Sequence, residues 1–273
     1  MAQFALGSVA PTALVASRLE LHYASQIVAA AGTSLLEAVA DYSHTALRFD
    51  AASGCMRGAE LAGGLRAALN VSELRLELVG ADASFDLAGH SLAEGTAWLE
   101  AELARATDAD VSLTRPEHDL PEHALSADAP FAFEEPAAFA ELSRYFAAAD
   151  GALAGVAKDP AASPVRLWPH HFDLATLITL DAEAGTSVGV GFSPGDGGYA
   201  EPYYYVTPWP YPKDAPTAAL ASGGKWHLEG WTGAVLTATA WLEGDAEGQP
   251  ARLSAFLESA ISASRALVSG GTA

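Results

Sequence analysis

Residues 173 to 192 constrain the fold of this chain more than any other stretch. Asp173 to Leu180 and Thr186 to Phe192 read as two β-strands joined by the loop Asp181 to Gly185. Pairing Leu180 with Thr186 sets Ile178 opposite Val188, Thr176 opposite Val190 and Leu174 opposite Phe192. Side chains alternate across a strand, so these residues share one largely apolar face that belongs to a core. The other face carries Leu177 with Gly189, Ala175 with Gly191, and Asp173 with Ser193. It is floored by small residues and ends in polar ones, and glycine inside a strand often marks the close approach of a backbone, a helix or a ligand.

The remaining periodicities supply helices to cover such a sheet. Leu14, Val15, Leu19, Tyr23, Ile27 and Val28 fall at helical spacing over 12–31, with Gly32 as a stop. Ser91 followed by Glu94 has the pattern of a capping box, opening a helix that carries Leu92, Trp98, Leu99 and Leu103. A third helix is predicted over 136–156, with Pro136 in its first turn, and a last one over 252–268, ended by Gly270-Gly271. Short strands are expected at 46–50, 56–61, 74–78 and 84–87, while 233–242 fits strand and helix equally.

The expected fold is therefore α+β, a mainly antiparallel sheet with packed helices. Two similar helix-strands-helix halves are compatible with it, since Thr45 to Gly54 and Thr176 to Gly185 match in register as strand, Asp-to-Gly turn, strand. The expected organisation is an N-terminal half (1–115), a Pro-rich acidic linker (116–136) and a C-terminal half (137–273) carrying the candidate site, an arrangement also compatible with one compact domain. His118 and His123 lie in that linker, and its prolines predict a solvated loop rather than a ligand cluster.

Charge narrows the partners. Asp and Glu number 34 against 14 Lys and Arg, a net charge of -20 over 273 residues. Such a surface repels phosphate backbones and anionic lipid heads, so neither nucleic acid nor membrane is expected as a partner. The single cysteine, Cys55, precludes an internal disulfide and reads as a buried, inert thiol. No basic residue precedes the apolar stretch before Arg18, and no apolar run reaches the ~20 residues of a membrane span. The expectation is a soluble, cytoplasmic protein.

The chemistry-bearing residues gather in the second half. Trp168-Pro169-His170-His171-Phe172-Asp173 places two imidazoles and a carboxylate just before the apolar strand. If that strand continues backward, His171 extends the polar face beyond Asp173, and His170 points the other way with Phe172. His171 and Asp173 are the catalytic candidates, with His170 behind them, because a carboxylate near an imidazole fixes its tautomer and raises its basicity. A divalent metal on His170, His171 and Asp173 is compatible with the residue types but not favoured, because adjacent residues on a strand diverge. The cofactor is otherwise open.

Ligand-binding candidates are Trp168, Ser193, Asp196, Glu201, Tyr203, Tyr205 and Trp209. Glu201, Tyr203 and Tyr205 share a face if 201–206 is a strand, and Thr207 to Pro212 reads as a stiff, extended exit. The Ser193-Pro-Gly-Asp-Gly-Gly198 loop lacks the Lys-Ser/Thr ending of a phosphate-binding loop and reads as a hairpin connection or mobile lid. Gly191-Phe-Ser-Pro-Gly195 spells a nucleophile elbow, but no helix is expected after it and Pro194 removes a backbone donor.

The segments Trp-Pro-His-His-Phe-Asp-Leu-Ala, Phe-Ser-Pro-Gly-Asp and Glu-Pro-Tyr-Tyr-Tyr-Val-Thr-Pro-Trp-Pro, within 164–212, resemble an uncharacterised bacterial family whose function is not established. The resemblance implies that the three segments belong to one site or structural unit, and supplies no activity or catalytic residue. Longer members keep Phe-Asp-Leu-Ala without both histidines, which implies a structural Asp173. The leading expectation is small-molecule binding, of a neutral or cationic ligand, in a cleft formed by residues 168–211. A metal-assisted or His-based hydrolase and a non-catalytic structural or oligomerising protein are the alternatives.

Overall fold

The computed structural model describes residues 5–270. They divide into two compact units, each discontinuous in sequence: residues 13–147 with 166–172, and residues 5–12 with 148–165 and 173–270. The division falls inside a helix rather than at the Pro-rich segment 116–136, which lies wholly in the first unit.

In the first unit, helix α1 (Val15–Leu35) precedes strands β1 (Arg48–Asp50), β2 (Cys55–Arg57), β3 (Arg66–Asn70), β4 (Arg75–Val79) and β5 (Ala83–Asp86). The strands form an antiparallel meander in chain order. Leu69 pairs with Leu76 and Ala67 with Leu78, all buried, and α1 packs on β3. Helix α2 (Leu92–Thr107) covers β4 and β5. The first twelve residues of helix α3 (Pro136–Val156) belong here too, with Phe146 stacked on Phe49 at 5.7 Å. Strand β6 (Arg166–Trp168) closes the unit through paired backbone bonds between Leu47 and Leu167. Cys55 is a buried free thiol, pushed up in pKa by its burial and by Glu77.

Several elements follow directly from local signals. The Ser91 hydroxyl accepts from the Glu94 N–H, and the Glu94 carboxylate accepts from the Ser91 N–H, so the capping box forms as expected. Ser91→Ala should therefore cost about 1 kcal/mol in urea unfolding, with an unchanged m-value. Gly32 does not stop α1, which runs three residues further. A Cβ there would overlap the carbonyl oxygen of His44, so this glycine serves a close backbone approach rather than a helix end. Strand β3 has no alternation to announce it: residues 67–70 are buried on both faces.

The second unit holds β7 (Asp173–Asp181), β8 (Thr186–Ser193), β9 (Tyr203–Trp209), β10 (Lys225–His227) and β11 (Gly233–Thr237), in the antiparallel order β10-β11-β9-β8-β7. The expected register of the β7–β8 hairpin is present from Leu174↔Phe192 to Ile178↔Val188. Near the turn it shifts, so that Asp181 rather than Leu180 pairs with Thr186. Leu174, Thr176, Ile178, Val188, Val190, Phe192, Tyr204 and Val206 are buried on one face. Helix α5 (Gln249–Gly270) packs on β8, β9 and β11. Residues 233–242 resolve into both alternatives: β11 runs to Thr237, whose hydroxyl then caps the short helix α4 (Ala238–Trp241).

The Asp-to-Gly turns do share a local design. The Asp50 carboxylate accepts from the Ala52 N–H at 3.0 Å, and that of Asp181 from the Glu183 N–H at 2.9 Å. Both turns end on a glycine of positive φ, Gly54 (φ 69°) and Gly185 (φ 66°). Among the described residues no helix is long and apolar enough to cross a membrane.

Candidate functional site

The sheet face opposite the buried residues of the second unit carries a connected set of polar and aromatic groups. Gly191 on β8 pairs with Tyr205 on β9 and with Ala175 on β7. Because position 191 has no side chain, the Tyr205 ring lies over it, and a Cβ there would overlap the ring Cζ and Oη. The Tyr205 hydroxyl thereby crosses β8 and donates to Oδ2 of Asp173 on β7. Gly189 plays a lesser version of the same part, since a Cβ would sit 2.7 Å from Oγ1 of Thr207. The glycine floor expected from the sequence is thus occupied, at these positions, by side chains of the neighbouring strand. Asp173 is only 7% exposed. Burial, then the Asp173 charge and the hydrogen bond to it, hold the Tyr205 phenol well above its ordinary pKa.

A second carboxylate organises the loop after β8. Asp196 Oδ1 accepts from the N–H groups of Gly198 (2.7 Å) and Tyr199 (2.8 Å), and Oδ2 from the Tyr203 hydroxyl (2.5 Å). The Asp196 N–H donates to the Tyr199 carbonyl, and Ser193 Oγ accepts from Gly195 N–H at 3.1 Å. The loop joins the neighbouring antiparallel strands β8 and β9, the hairpin connection that the sequence allowed, and is closed on itself by these bonds. Ser193 is buried, and the chain leaves it for a loop and then β9 instead of a helix, so the elbow spelling has no elbow geometry. Burial first, and then Asp196, raise the Tyr203 pKa; the same two causes raise that of Tyr199.

Residues without a local sequence signal complete the set. The Tyr199 hydroxyl is 2.9 Å from His227 Nδ1, and His227 Nε2 donates to the Glu229 carbonyl at 2.7 Å. Since that carbonyl only accepts, Nε2 carries the proton and Nδ1 receives the Tyr199 hydroxyl. The Trp231 ring stacks on His227 at 4.3 Å and meets Tyr205 edge-on at 6.4 Å. Trp209 and Leu177, further along the same face, are 54% and 46% exposed. Glu201 is elsewhere: β9 begins only at Tyr203, and the Glu201 carboxylate accepts from Thr239 N–H at the start of α4. It does not join Tyr203 and Tyr205 on the strand.

Trp168, His170 and His171 belong to the first unit, where they meet partners the sequence did not suggest. Strand β7 does not continue back through them. Residues 169–172 form a turn closed by Phe172 N–H donating to the Trp168 carbonyl (2.7 Å), with Phe172 at φ 54°. That left-handed residue breaks the alternation on which the placement of His171 beside Asp173 rested. The His170 ring lies 4.3 Å from His171 and 6.0 Å from both His118 and Trp168. His22 of α1 donates from Nε2 to the Pro169 carbonyl at 2.9 Å.

His118 and His123 lie, as expected, in an irregular and largely exposed loop, but each is itself half-buried and the loop is tied to α1. Pro121 O accepts from the Tyr23 hydroxyl at 2.7 Å, and His123 Nε2 lies 3.8 Å from the buried Glu20 carboxylate of α1. Apolar anchors Leu125 and Phe131 hold the segment down. Among the described residues no three His, Cys, Asp or Glu side chains converge as metal ligands would. Comparison with protein-family models, curated protein sequences and solved structures found no match.

Proposed function

We propose that the second unit binds a small neutral or cationic molecule against Tyr199, Tyr203, His227 and Trp231, on the sheet face that carries Asp173 and beside the loop that carries Asp196. The observation that carries this reading is the continuous chain of ring contacts and hydrogen bonds from Asp173 through Tyr205, Trp231, His227, Tyr199 and Tyr203 to Asp196. No Lys or Arg belongs to it, and the whole chain is acidic at -20, so an anion is disfavoured. Aromatic faces attract cations and stack on apolar ligand surfaces, and carboxylates add charge complementarity. The phenols stay neutral and spend their protons inside the site, Tyr205 on Asp173, Tyr203 on Asp196 and Tyr199 on His227, so the ligand meets ring surface and phenol oxygens held in place by these bonds.

Titration followed by NMR tests the proposal, with tetramethylammonium, butylamine, glucose and acetate as probes. At least one of the first three should shift the Trp231 and His227 resonances saturably. Trp231→Ala should weaken that probe about tenfold, some 1.4 kcal/mol. Acetate should leave the resonances in place. Linear, unsaturable shifts with every probe, or equal binding of acetate, would count against the proposal.

A further inference from the structure

The turn Pro169–Phe172, by which the chain leaves the first unit, is held in a way that depends on one imidazole. His22, buried on α1, donates to the Pro169 carbonyl, and Gln26 one turn further donates to the same oxygen at 2.8 Å. Phe172, fully buried, stacks on the His22 ring at 4.9 Å with planes 10° apart, and meets Phe146 edge-on at 5.5 Å. Around this attachment stand His118, His170 and His171, with ring separations of 6.0 Å and 4.3 Å along the series. Imidazoles at that spacing are compatible neighbours when neutral and repel one another when charged.

We propose that this four-histidine cluster is an acid-operated latch: neutral, it clamps the Pro169–Phe172 turn to α1, and on proton uptake it releases the turn while the sheets stay folded. The charged neighbours do little to offset the repulsion. On α1, Arg18 adds positive charge beside His22, and Glu20 is engaged with His123 and the Ala132 N–H. In the 117–123 segment, which also carries Glu117 and Glu122, Asp119 acts favourably on His118. Arg166 on β6 faces Asp41, Glu141 and Arg144 of α3 pair with each other, and Asp173 follows the turn in sequence.

The direction of the titration agrees. Burial, then neighbouring positive groups, push His22 and His170 down to about 4, and burial and His171 lower His118. The bond to Pro169 opposes the fall at His22 without reversing it. A released histidine titrates near 6.5. The closed turn binds fewer protons than the open one, so its advantage is intact above pH 7 and is lost as pH falls from about 6.5 toward about 4.

Hydrogen exchange followed by mass spectrometry, corrected for intrinsic rates, tests this between pH 7.5 and 4.5. Peptides covering 166–174 should lose protection on acidification faster than about tenfold per pH unit, the slope of a single proton. Peptides from β8 and β9 should keep theirs. In His118→Gln/His170→Gln the slope should fall to about tenfold per unit or less, and His170→Gln alone should lie between. Constant protection of the turn, its loss together with β8 and β9, or a wild-type slope in the double variant would each overturn the latch.

Discussion

Replacing Gly191 with alanine should lower the unfolding free energy by about 3 kcal/mol, the cost of overpacking a filled site together with a strained or lost hydrogen bond to a buried carboxylate. The added methyl would collide with the Tyr205 ring, which lies across β8 to reach Asp173. Strand backbone cannot yield without breaking the β8–β9 ladder at Gly191↔Tyr205, so the ring must leave. Tyr205→Phe keeps the ring and removes only the donor, and should cost about 2 kcal/mol. The informative variant is Gly191→Ala/Tyr205→Ala. With the ring gone the methyl has room, and the pair should fall short of additivity by at least ~1 kcal/mol. Urea titrations of wild type, Gly191→Ala, Tyr205→Ala and the double variant close the cycle. A Gly191→Ala protein within about 0.5 kcal/mol of wild type would mean that the ring does not lie over the glycine.

That pair also shows what a sequence can and cannot convey about a site. Period-two alternation located β7 and β8 and their register, because one face had to be buried and a slip would have turned Leu174, Ile178, Val190 and Phe192 outward. The Ser91–Glu94 box and Pro136 marked helix starts because those signals are local. The small residues at 189 and 191 were legible as a place of close approach, but not what approaches; the visitor is a side chain from β9, set by a strand pairing that no local pattern encodes. The same limit applies to the histidines. His22 lies 147 residues from Pro169 in sequence, and α1 has to pack before the two can meet. The backward extension of β7 failed at a single residue, Phe172, whose left-handed backbone is held by burial against His22 and Phe146 rather than by an intrinsic preference. Prolines in 116–136 marked a largely exposed, irregular loop, but not its anchor: Pro121 uses its carbonyl to receive Tyr23, a partner 98 residues away.

Glu20→Gln should produce the opposite pH signature to the histidines, with an effect of on the order of 2 kcal/mol at pH 8. Glu20 is 6% exposed, and its Oε2 accepts from the Ala132 N–H at 3.2 Å. Burial, and then Glu134, raise its pKa to about 7 from an ordinary 4.5, against the pull of the Ala132 bond. The folded protein therefore holds this proton more tightly than the unfolded chain. Stability from that proton is complete below about 4.5 and drains away as pH rises through about 7. Glutamine keeps the acceptor for Ala132 and carries no charge to bury, so the variant should be the more stable protein at pH 8 and nearly equal to wild type at pH 4.5. Between those limits Glu20 and the depressed histidines work against each other: His22 and His170 make stability rise with pH, and Glu20 makes it fall. Removing Glu20 uncovers the histidine slope. Unfolding free energies of Glu20→Gln measured from pH 4.5 to 6.5 should climb more steeply than those of wild type, by up to ~1.4 kcal/mol per pH unit. Parallel curves for the two proteins would mean that Glu20 is already ionised in the folded state and that its burial is compensated by His123.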